Sequence, residues 1–302
     1  MPILPHPPRL AFTPLALALA ALLAPALRAG EFEEKVAELV APLGPDATVK
    51  VALYDLETGT SALIRADEPI HPASTMKVPV MMEVYRRVEA GELGLDDEIE
   101  VKNTFSSLVD GSPYALDVAD DSDETLYKRI GGKATIRELT FLMITRSSNL
   151  ATNLLIEKVP AASITAFMKD LGAGDLKVLR GVEDPKAVAK GMNNVGTARG
   201  TMTILRRLAE RTAVSKAADE AMLDVLRAQE FNDGIPAGLP EGTVVAHKTG
   251  SFAGVSHDAG IVEPPGRKPY VLVVMTRGIA SGADARRLIA AISEAAYESL
   301  VR

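Results

Sequence analysis

Two regions in which apolar and polar residues alternate, as in β-strands, flank a long region whose apolar residues recur at helical spacing. Of all the features in the sequence, this order limits the possible folds most strongly. Residues 48–54 alternate apolar and polar side chains, and residues 61–64 resume the alternation after a turn signal. From residue 243 onward the period of two returns, with a hairpin turn at residues 264–266. The residues between them repeat their apolar side chains at helical spacing.

Strands that are segregated from helices favour an α+β fold over a doubly wound parallel fold. We expect the N- and C-terminal strands to share one antiparallel sheet, flanked by helices at residues 31–40 and 283–300. An all-helical lobe, from about residue 73 to 215, would pack beside this sheet within a single domain of residues 30–302. The acidic stretch 117–129 has no clear period, and we expect it to be an exposed loop.

The first 29 residues predict a secretory signal peptide. They contain Arg9, then a run of alanine and leucine, and no acidic residue. Cleavage could follow residue 26 or residue 29. An uncleaved membrane anchor is the alternative, but Pro14 and Pro25 interrupt a run that is already short for a membrane span. We therefore expect export to the periplasm or the medium, and no membrane association after cleavage.

Charge and composition exclude several classes of function. The chain has 33 basic and 40 acidic residues, a net charge of −7, which argues against nucleic acid as a partner. It contains no cysteine, so it has neither disulfides nor a thiol nucleophile. We find no zinc-ligand spacing, no Gly-x-Ser-x-Gly elbow and no glycine-rich phosphate loop, and we expect no metal or cofactor.

A serine and a lysine stand three residues apart at the predicted start of a helix. Residues three apart share a helix face, so Ser74 and Lys77 lie side by side. The apolar residues that follow predict a buried turn, and burial lowers the pKa of a lysine toward a range useful for a base. Lys77 could then accept the proton of Ser74, although Ser-x-x-Lys alone is also compatible with a surface lysine.

Two further motifs favour the catalytic interpretation. Ser147 and Asn149 offer a hydroxyl and a carboxamide within the helical region. Residues 247–251 place a cation, a hydroxyl and a glycine in succession on a late strand. There, Lys248 and Thr249 can bind an anionic group. Gly250 would let substrate approach the backbone, and the Ser251 N–H could point at a developing oxyanion.

The order Ser-x-x-Lys, Ser-x-Asn, Lys-Thr-Gly resembles that of the serine β-lactamase and penicillin-binding protein superfamily, and class A β-lactamases in particular. The resemblance implies that Ser74 forms an acyl-enzyme, with Lys77 as its proton acceptor. Ser147 would pass a proton to the leaving nitrogen. Substrate would be bound by Asn149, Lys248, Thr249, Gly250 and Ser251, with the oxyanion held by the N–H groups of Ser74 and Ser251. The implied partner is a small β-lactam or a peptidoglycan peptide, the implied biological role is antibiotic resistance, and we expect a monomer.

The chain departs from the class A pattern twice. Ser148 occupies the place of the usual aspartate in Ser-Asp-Asn, which puts the rigidity of that loop in doubt. The Glu-Pro-x-Leu-Asn segment that carries the water-activating glutamate is missing. Glu183 is the candidate base, with an exposed loop acid as the alternative, and Lys77 acting a second time is the other source of a base.

Three functions therefore remain open on the sequence. The first is a β-lactamase, and the second is a D-alanyl-D-alanine peptidase, penicillin-binding protein or esterase with slow deacylation. The third is a non-catalytic β-lactam- or cell-wall-binding protein. The joint presence of Ser74, Lys77 and Lys248 argues against a mere binder, because binding does not require the activating lysine.

Overall fold

The computed structural model describes residues 30–301 and contains a five-stranded antiparallel sheet in the order β2-β1-β9-β8-β7. N- and C-terminal strands share this sheet, so the predicted α+β fold is confirmed. The strands of the sheet are β1 (Thr48–Asp55), β2 (Ser61–Ile64), β7 (Val244–Phe252), β8 (Val255–Glu263) and β9 (Tyr270–Arg277). Short strands elsewhere are β3 (Glu98–Glu100), β4 (Phe105–Ser106), β5 (Pro113–Tyr114) and β6 (Lys133–Thr135).

Helices cover both faces of the sheet. The first helix, α1, covers residues 30–40. The others are α2 (Lys77–Glu89), α3 (Ile136–Thr145), α4 (Asn149–Lys158), α5 (Ala161–Asp170), α6 (Pro185–Ala189), α7 (Ala198–Ala209), α8 (Lys216–Arg227) and α9 (Gly282–Val301). None of the helices in residues 30–301 combines the length and hydropathy that a membrane crossing needs.

The helical lobe continues past its predicted end at about residue 215. Helix α8 contacts α2, α3 and α7, so the lobe extends to Arg227. The cause is the buried stripe of Met222, Leu223 and Leu226, which packs into the same core as α2. The four short strands also lie within this region, so the lobe is not entirely helical. The predicted signal peptide, residues 1–29, lies outside the described residues.

The sheet separates two hydrophobic cores, and strand β9 shows how. Val271, Val273 and Met275 face the helical lobe, whereas Leu272 and Val274 face α1 and α9. Because successive strand residues point to opposite faces, a strand covered on both sides must be apolar throughout. This explains the continuous apolar run in β9.

Helix α2 lies at the centre of the lobe and is buried on nearly every side. Its first two turns include Val78, Val80, Met81 and Met82, all inaccessible to solvent. Apolar residues on every side of a helical turn indicate that the turn lies in a core. Burial of α2 fixes the position of the turn that precedes it, and that turn carries Ser74.

Candidate active site

Ser74 lies in a single 3₁₀ turn, Ala73–Met76, and α2 begins immediately afterward with Lys77. The sequence predicted that a helix starts near Ser74, and the structure places a short 3₁₀ turn there before the α-helix, which leaves both side chains in adjacent turns. Ala73 has a φ of 47°, in the left-handed region that L-residues rarely adopt. Ser74 lines a cavity of about 420 Å³.

Lys77 is fully buried beneath this cavity, as its apolar neighbours predicted. Its Nζ donates to Asn149 Oδ1 at 2.7 Å, to the carbonyl oxygen of Ser147 at 2.6 Å and to Ser147 Oγ at 3.2 Å. Burial lowers the pKa of Lys77 to about 7, against the opposing effect of the Asp121 and Glu183 carboxylates. Near neutral pH, therefore, a substantial fraction of this amine is unprotonated and able to accept a proton.

The Ser147 hydroxyl stands between two buried amines. Lys248 Nζ donates to Ser147 Oγ at 3.0 Å, and Lys77 Nζ approaches the same oxygen from the other side. Ser147 has a φ of 58° in the connection between α3 and α4, and this strained backbone aims its side chain between the two lysines. Burial and the charge of Lys77 hold the pKa of Lys248 well below its usual range. The three groups form a path along which a proton can move.

Strand β7 passes directly against the Ser74 turn. A Cβ on Gly250 would lie 2.9 Å from the Ser74 nitrogen, 3.1 Å from the Thr75 nitrogen and 3.2 Å from Ala73 Cβ. The space of its missing side chain is therefore filled by the turn itself, while Gly250 also lines the cavity, and the approach of substrate to its backbone stays a prediction. Thr249 and Ser251 line the cavity on the same strand.

Glu183 is half-buried and contacts the site through Asn149. Its Oε1 accepts a hydrogen bond from Asn149 Nδ2 at 2.7 Å, while the other end of the same carboxamide binds Lys77. The alternative that Glu183 is an exposed loop acid is therefore wrong. Burial raises the pKa of Glu183, as expected for a carboxyl in a poorly hydrated position. Glu183 also has a positive φ of 60°.

The buttress that the sequence failed to predict is Asp121. Its carboxylate accepts hydrogen bonds from the backbone nitrogens of Asn149 and Leu150, each at 2.9 Å, and from the hydroxyl of Tyr127 at 3.0 Å. A carboxylate at a helix N-terminus is favoured by the helix dipole. Ser148 is the N-cap of α4 and accepts from the Ala151 nitrogen, so it forms a neutral cap beside the charged one.

The acidic stretch 117–129 is therefore not merely an exposed loop. It contains two 3₁₀ turns, Val118–Asp120 and Leu126–Arg129, and one wall of the cavity includes Asp120 and Ser122. Its lack of periodicity concealed the role of Asp121, because the partners of this carboxylate lie 28 and 29 residues along the chain. No local pattern within the stretch indicates that one of its carboxylates caps a helix so far along the chain.

The cavity thus collects parts of all three motifs. Its lining includes Ser74, Ser147, Asn149, Thr249, Gly250 and Ser251. Lys77, Lys248 and Glu183 support these residues from beneath and beside the cavity. Within residues 30–301, no cluster of three or more histidine, cysteine or acidic side chains has the arrangement of a metal site. A hydroxyl, two amines with lowered pKa values and a carboxyl with a raised pKa suit proton transfer around an acyl-transfer step.

The chain is similar to known proteins over most of its length. The chain is 27% identical over 266 residues to β-lactamase CTX-M-8 of Citrobacter amalonaticus, covering 86% of each chain. It is also similar to the crystal structure of a β-lactamase from Sphaerobacter thermophilus, with a TM-score of 0.77 and 27% identity over 89% of this chain and 97% of the other.

A third similarity is to the structure of PBP-A, with a TM-score of 0.74 and 25% identity over 89% of this chain and 95% of the other. The family model described as the β-lactamase enzyme family matches residues 31–300, nearly the whole described chain. The protein therefore belongs to the β-lactamase enzyme family.

Proposed function

We propose that the protein is an exported serine hydrolase that opens β-lactams through an acyl-enzyme on Ser74. The observation that carries the proposal is the buried Lys77 amine, one turn from Ser74, with a pKa of about 7. A lysine on the surface would remain protonated at neutral pH and could not act as a base. Export is supported by the basic and apolar composition of residues 1–29.

Acylation would use the proton path through Ser147. Ser74 Oγ attacks the carbonyl carbon of the lactam as its proton passes to Lys77 Nζ. The C–N bond then breaks, and the nitrogen takes a proton from the Ser147 hydroxyl, which is replenished from Lys77. No hydrogen bond joins Ser74 Oγ to Lys77 in the described residues, so the serine side chain must turn toward the amine when substrate binds.

Substrate binding would place the developing negative charge between strand β7 and the Ser74 turn. The close approach at Gly250 brings the backbone of Ser251 near that of Ser74, and these two N–H groups would bind the oxyanion. Lys248 and Thr249 would hold the substrate carboxylate, and Asn149 would contact its amide side chain.

Deacylation would use Glu183 as the base for water. The water oxygen attacks the ester carbon, Glu183 takes its proton, and the Ser74 oxygen regains a proton as the ester bond breaks. Burial supports this role because a raised pKa brings the carboxylate closer to the pH at which it must exchange protons. Lys77 acting a second time is the alternative base.

A second candidate function is a penicillin-binding protein or peptidase that deacylates slowly. Two observations favour it, namely the similarity to PBP-A and the missing Glu-Pro-x-Leu-Asn segment. A leucine-to-glutamate variant of PBP-A was solved as an acyl-enzyme complex with penicillin G, so a protein similar to this chain can be trapped at that stage.

Intact-mass analysis over time after addition of penicillin G tests these proposals. We expect a penicilloyl adduct that maps to Ser74, is missing in Ser74→Ala, and disappears as substrate is exhausted. A lasting adduct without nitrocefin turnover would support the penicillin-binding protein instead. An unmodified wild type under saturating penicillin would leave only the binding protein and refute the acyl-enzyme.

A further inference from the structure

Two histidines, one of which also lines the cavity, hold the segment that leads into the Ser74 turn and have no part in the proton path described above. His257 lies on β8 and is buried. The backbone nitrogen of Thr276 donates to its Nδ1 at 3.1 Å, so the ring carries its proton on Nε2. This Nε2 donates to the carbonyl oxygen of His71 at 2.9 Å. The central sheet is thereby connected to the segment that leads into the Ser74 turn.

His71 supplies the second connection. Its Nδ1 accepts a hydrogen bond from the backbone nitrogen of Ala73 at 3.0 Å. Ala73 is the residue with the positive φ immediately before Ser74, and a strained backbone persists only where its surroundings hold it. The chain of contacts therefore runs from Thr276 through His257 and His71 to the residue next to the nucleophile.

Each ring accepts a backbone N–H at its Nδ1, and these two hydrogen bonds require neutral imidazole rings. A protonated ring has N–H groups at both nitrogens, so its Nδ1 can no longer accept from a backbone N–H. Burial lowers the pKa of both histidines. Arg180 and a charge on His257 also lower the pKa of His71, and Lys50 lowers that of His257, while the backbone hydrogen bonds of His257 with His71 and Ser256 oppose the lowering. These charges are positive and so favour the neutral rings.

We propose that His71 and His257 are positioning residues that hold the Ser74 turn in its acylating geometry only while both rings are neutral. Neither residue touches the reacting atoms. The inference rests on the proposed function, because its effect is measured on the acylation of Ser74. Protonation of the histidines should reduce activity at a lower pH than protonation of Lys77 does. The pKa values of the two histidines are lowered from 6.5, whereas the pKa of Lys77 lies at about 7.

A matched pair of variants separates the hydrogen bond from the size of the side chain. In His71→Asn the amide oxygen takes the place of Nδ1 as an acceptor, whereas His71→Leu keeps an apolar side chain against Phe252 and has no acceptor. At pH 7.5 we expect single-turnover acylation by penicillin G to fall about 10- to 100-fold in His71→Leu and to stay within about threefold in His71→Asn. Below pH 6 the rate should fall more steeply with pH in the wild type than in His71→Asn.

Imidazole ¹⁵N NMR of the wild type gives a readout independent of activity. We expect the Nε2–H tautomer for both histidines at pH 7.5. The proposal is overturned if either ring carries its proton on Nδ1, if His71→Leu acylates like wild type, or if His71→Asn falls as far as His71→Leu. If the wild type forms no adduct, the proposed function fails, and the tautomers alone then decide whether the rings hold the turn.

Discussion

Replacing Asp121 by alanine tests whether a carboxylate from the acidic stretch supports the second motif. The substitution removes the acceptor of two backbone N–H groups at the start of α4 and of the Tyr127 hydroxyl. A hydrogen bond to a charged group contributes about 1.5–3 kcal/mol, and the interaction with the helix dipole about 0.3–1 kcal/mol. Because Asp121 is half-exposed, we take the lower end of each range, and we count only the two backbone hydrogen bonds and the helix dipole, since water can bind the Tyr127 hydroxyl instead; the expected total loss is about 3 kcal/mol.

Thermal melting gives the first measurement. For a domain of this size, 1 kcal/mol corresponds to about 2–4 °C in Tm, so Asp121→Ala should melt about 6–12 °C below wild type. Asp120→Ala is the matched control. Asp120 is an exposed neighbour whose side chain has no hydrogen bond or ion pair among the described residues, and its substitution should change stability by no more than about 0.5 kcal/mol.

The pH dependence of acylation gives the second measurement. The Asp121 carboxylate raises the pKa of Lys77, so its removal should lower that pKa below about 7. Acylation requires the neutral amine, and the pH at which the rate reaches half its maximum should therefore move down in Asp121→Asn. If Asp121→Ala melts within the range of the Asp120→Ala control, the buttress described here is wrong.

Three further outcomes test the remaining parts of the site. In the wild type, the acylation rate should rise with pH through about 7 as Lys77 loses its proton. Lys77→Arg keeps the charge but cannot release a proton near neutral pH, so the acylation rate should fall by roughly 10²-fold or more while the melting temperature changes little. Glu183→Gln should acylate normally and then accumulate adduct by mass spectrometry, with nitrocefin turnover reduced by roughly 10²-fold; unchanged turnover would assign deacylation to Lys77. Gly250→Ala should slow acylation by about 10-fold or more, because the new Cβ forces β7 away from the Ser74 nitrogen. The control is Gly254→Ala on the same hairpin, where nothing lies within 4 Å of the new Cβ, and it should affect stability only. Equal acylation rates in the two variants would contradict the contact between Gly250 and the Ser74 turn.

The sheet and the central helix could be predicted from the sequence because their signals are local. Strand β2 begins and ends at the predicted residues, because its alternating residues and the turn signal before it lie within a few positions of each other. The burial of Lys77 followed from its apolar neighbours in the same way. Each of the three motifs is likewise contained in five residues or fewer, so none depends on knowing the fold.

The supporting contacts could not be predicted because they join distant segments. Asp121 caps a helix that begins 28 residues later, and Glu183 reaches Asn149 across 34 residues. The 3₁₀ turns around Asp121 have no hydrophobic period of their own, because they are three and four residues long and Leu126 is the only buried residue in them. The tight fit of Gly250 depends on where β7 meets another element, which no local pattern encodes.

The shared hydroxyl of Ser147 makes substrate affinity and proton uptake inseparable. Two buried amines compete at one oxygen, and both have lost affinity for protons. An anion bound beside these amines, as proposed for the substrate carboxylate, would restore that affinity, so its binding would take up protons from the buffer and would tighten as the solution becomes more acidic. Acylation changes in the opposite sense, since it needs a free amine. Substrate binding would therefore be favoured at lower pH and acylation at higher pH. At low substrate concentration, the pH of fastest turnover would fall between the pH that favours binding and the pH that favours acylation.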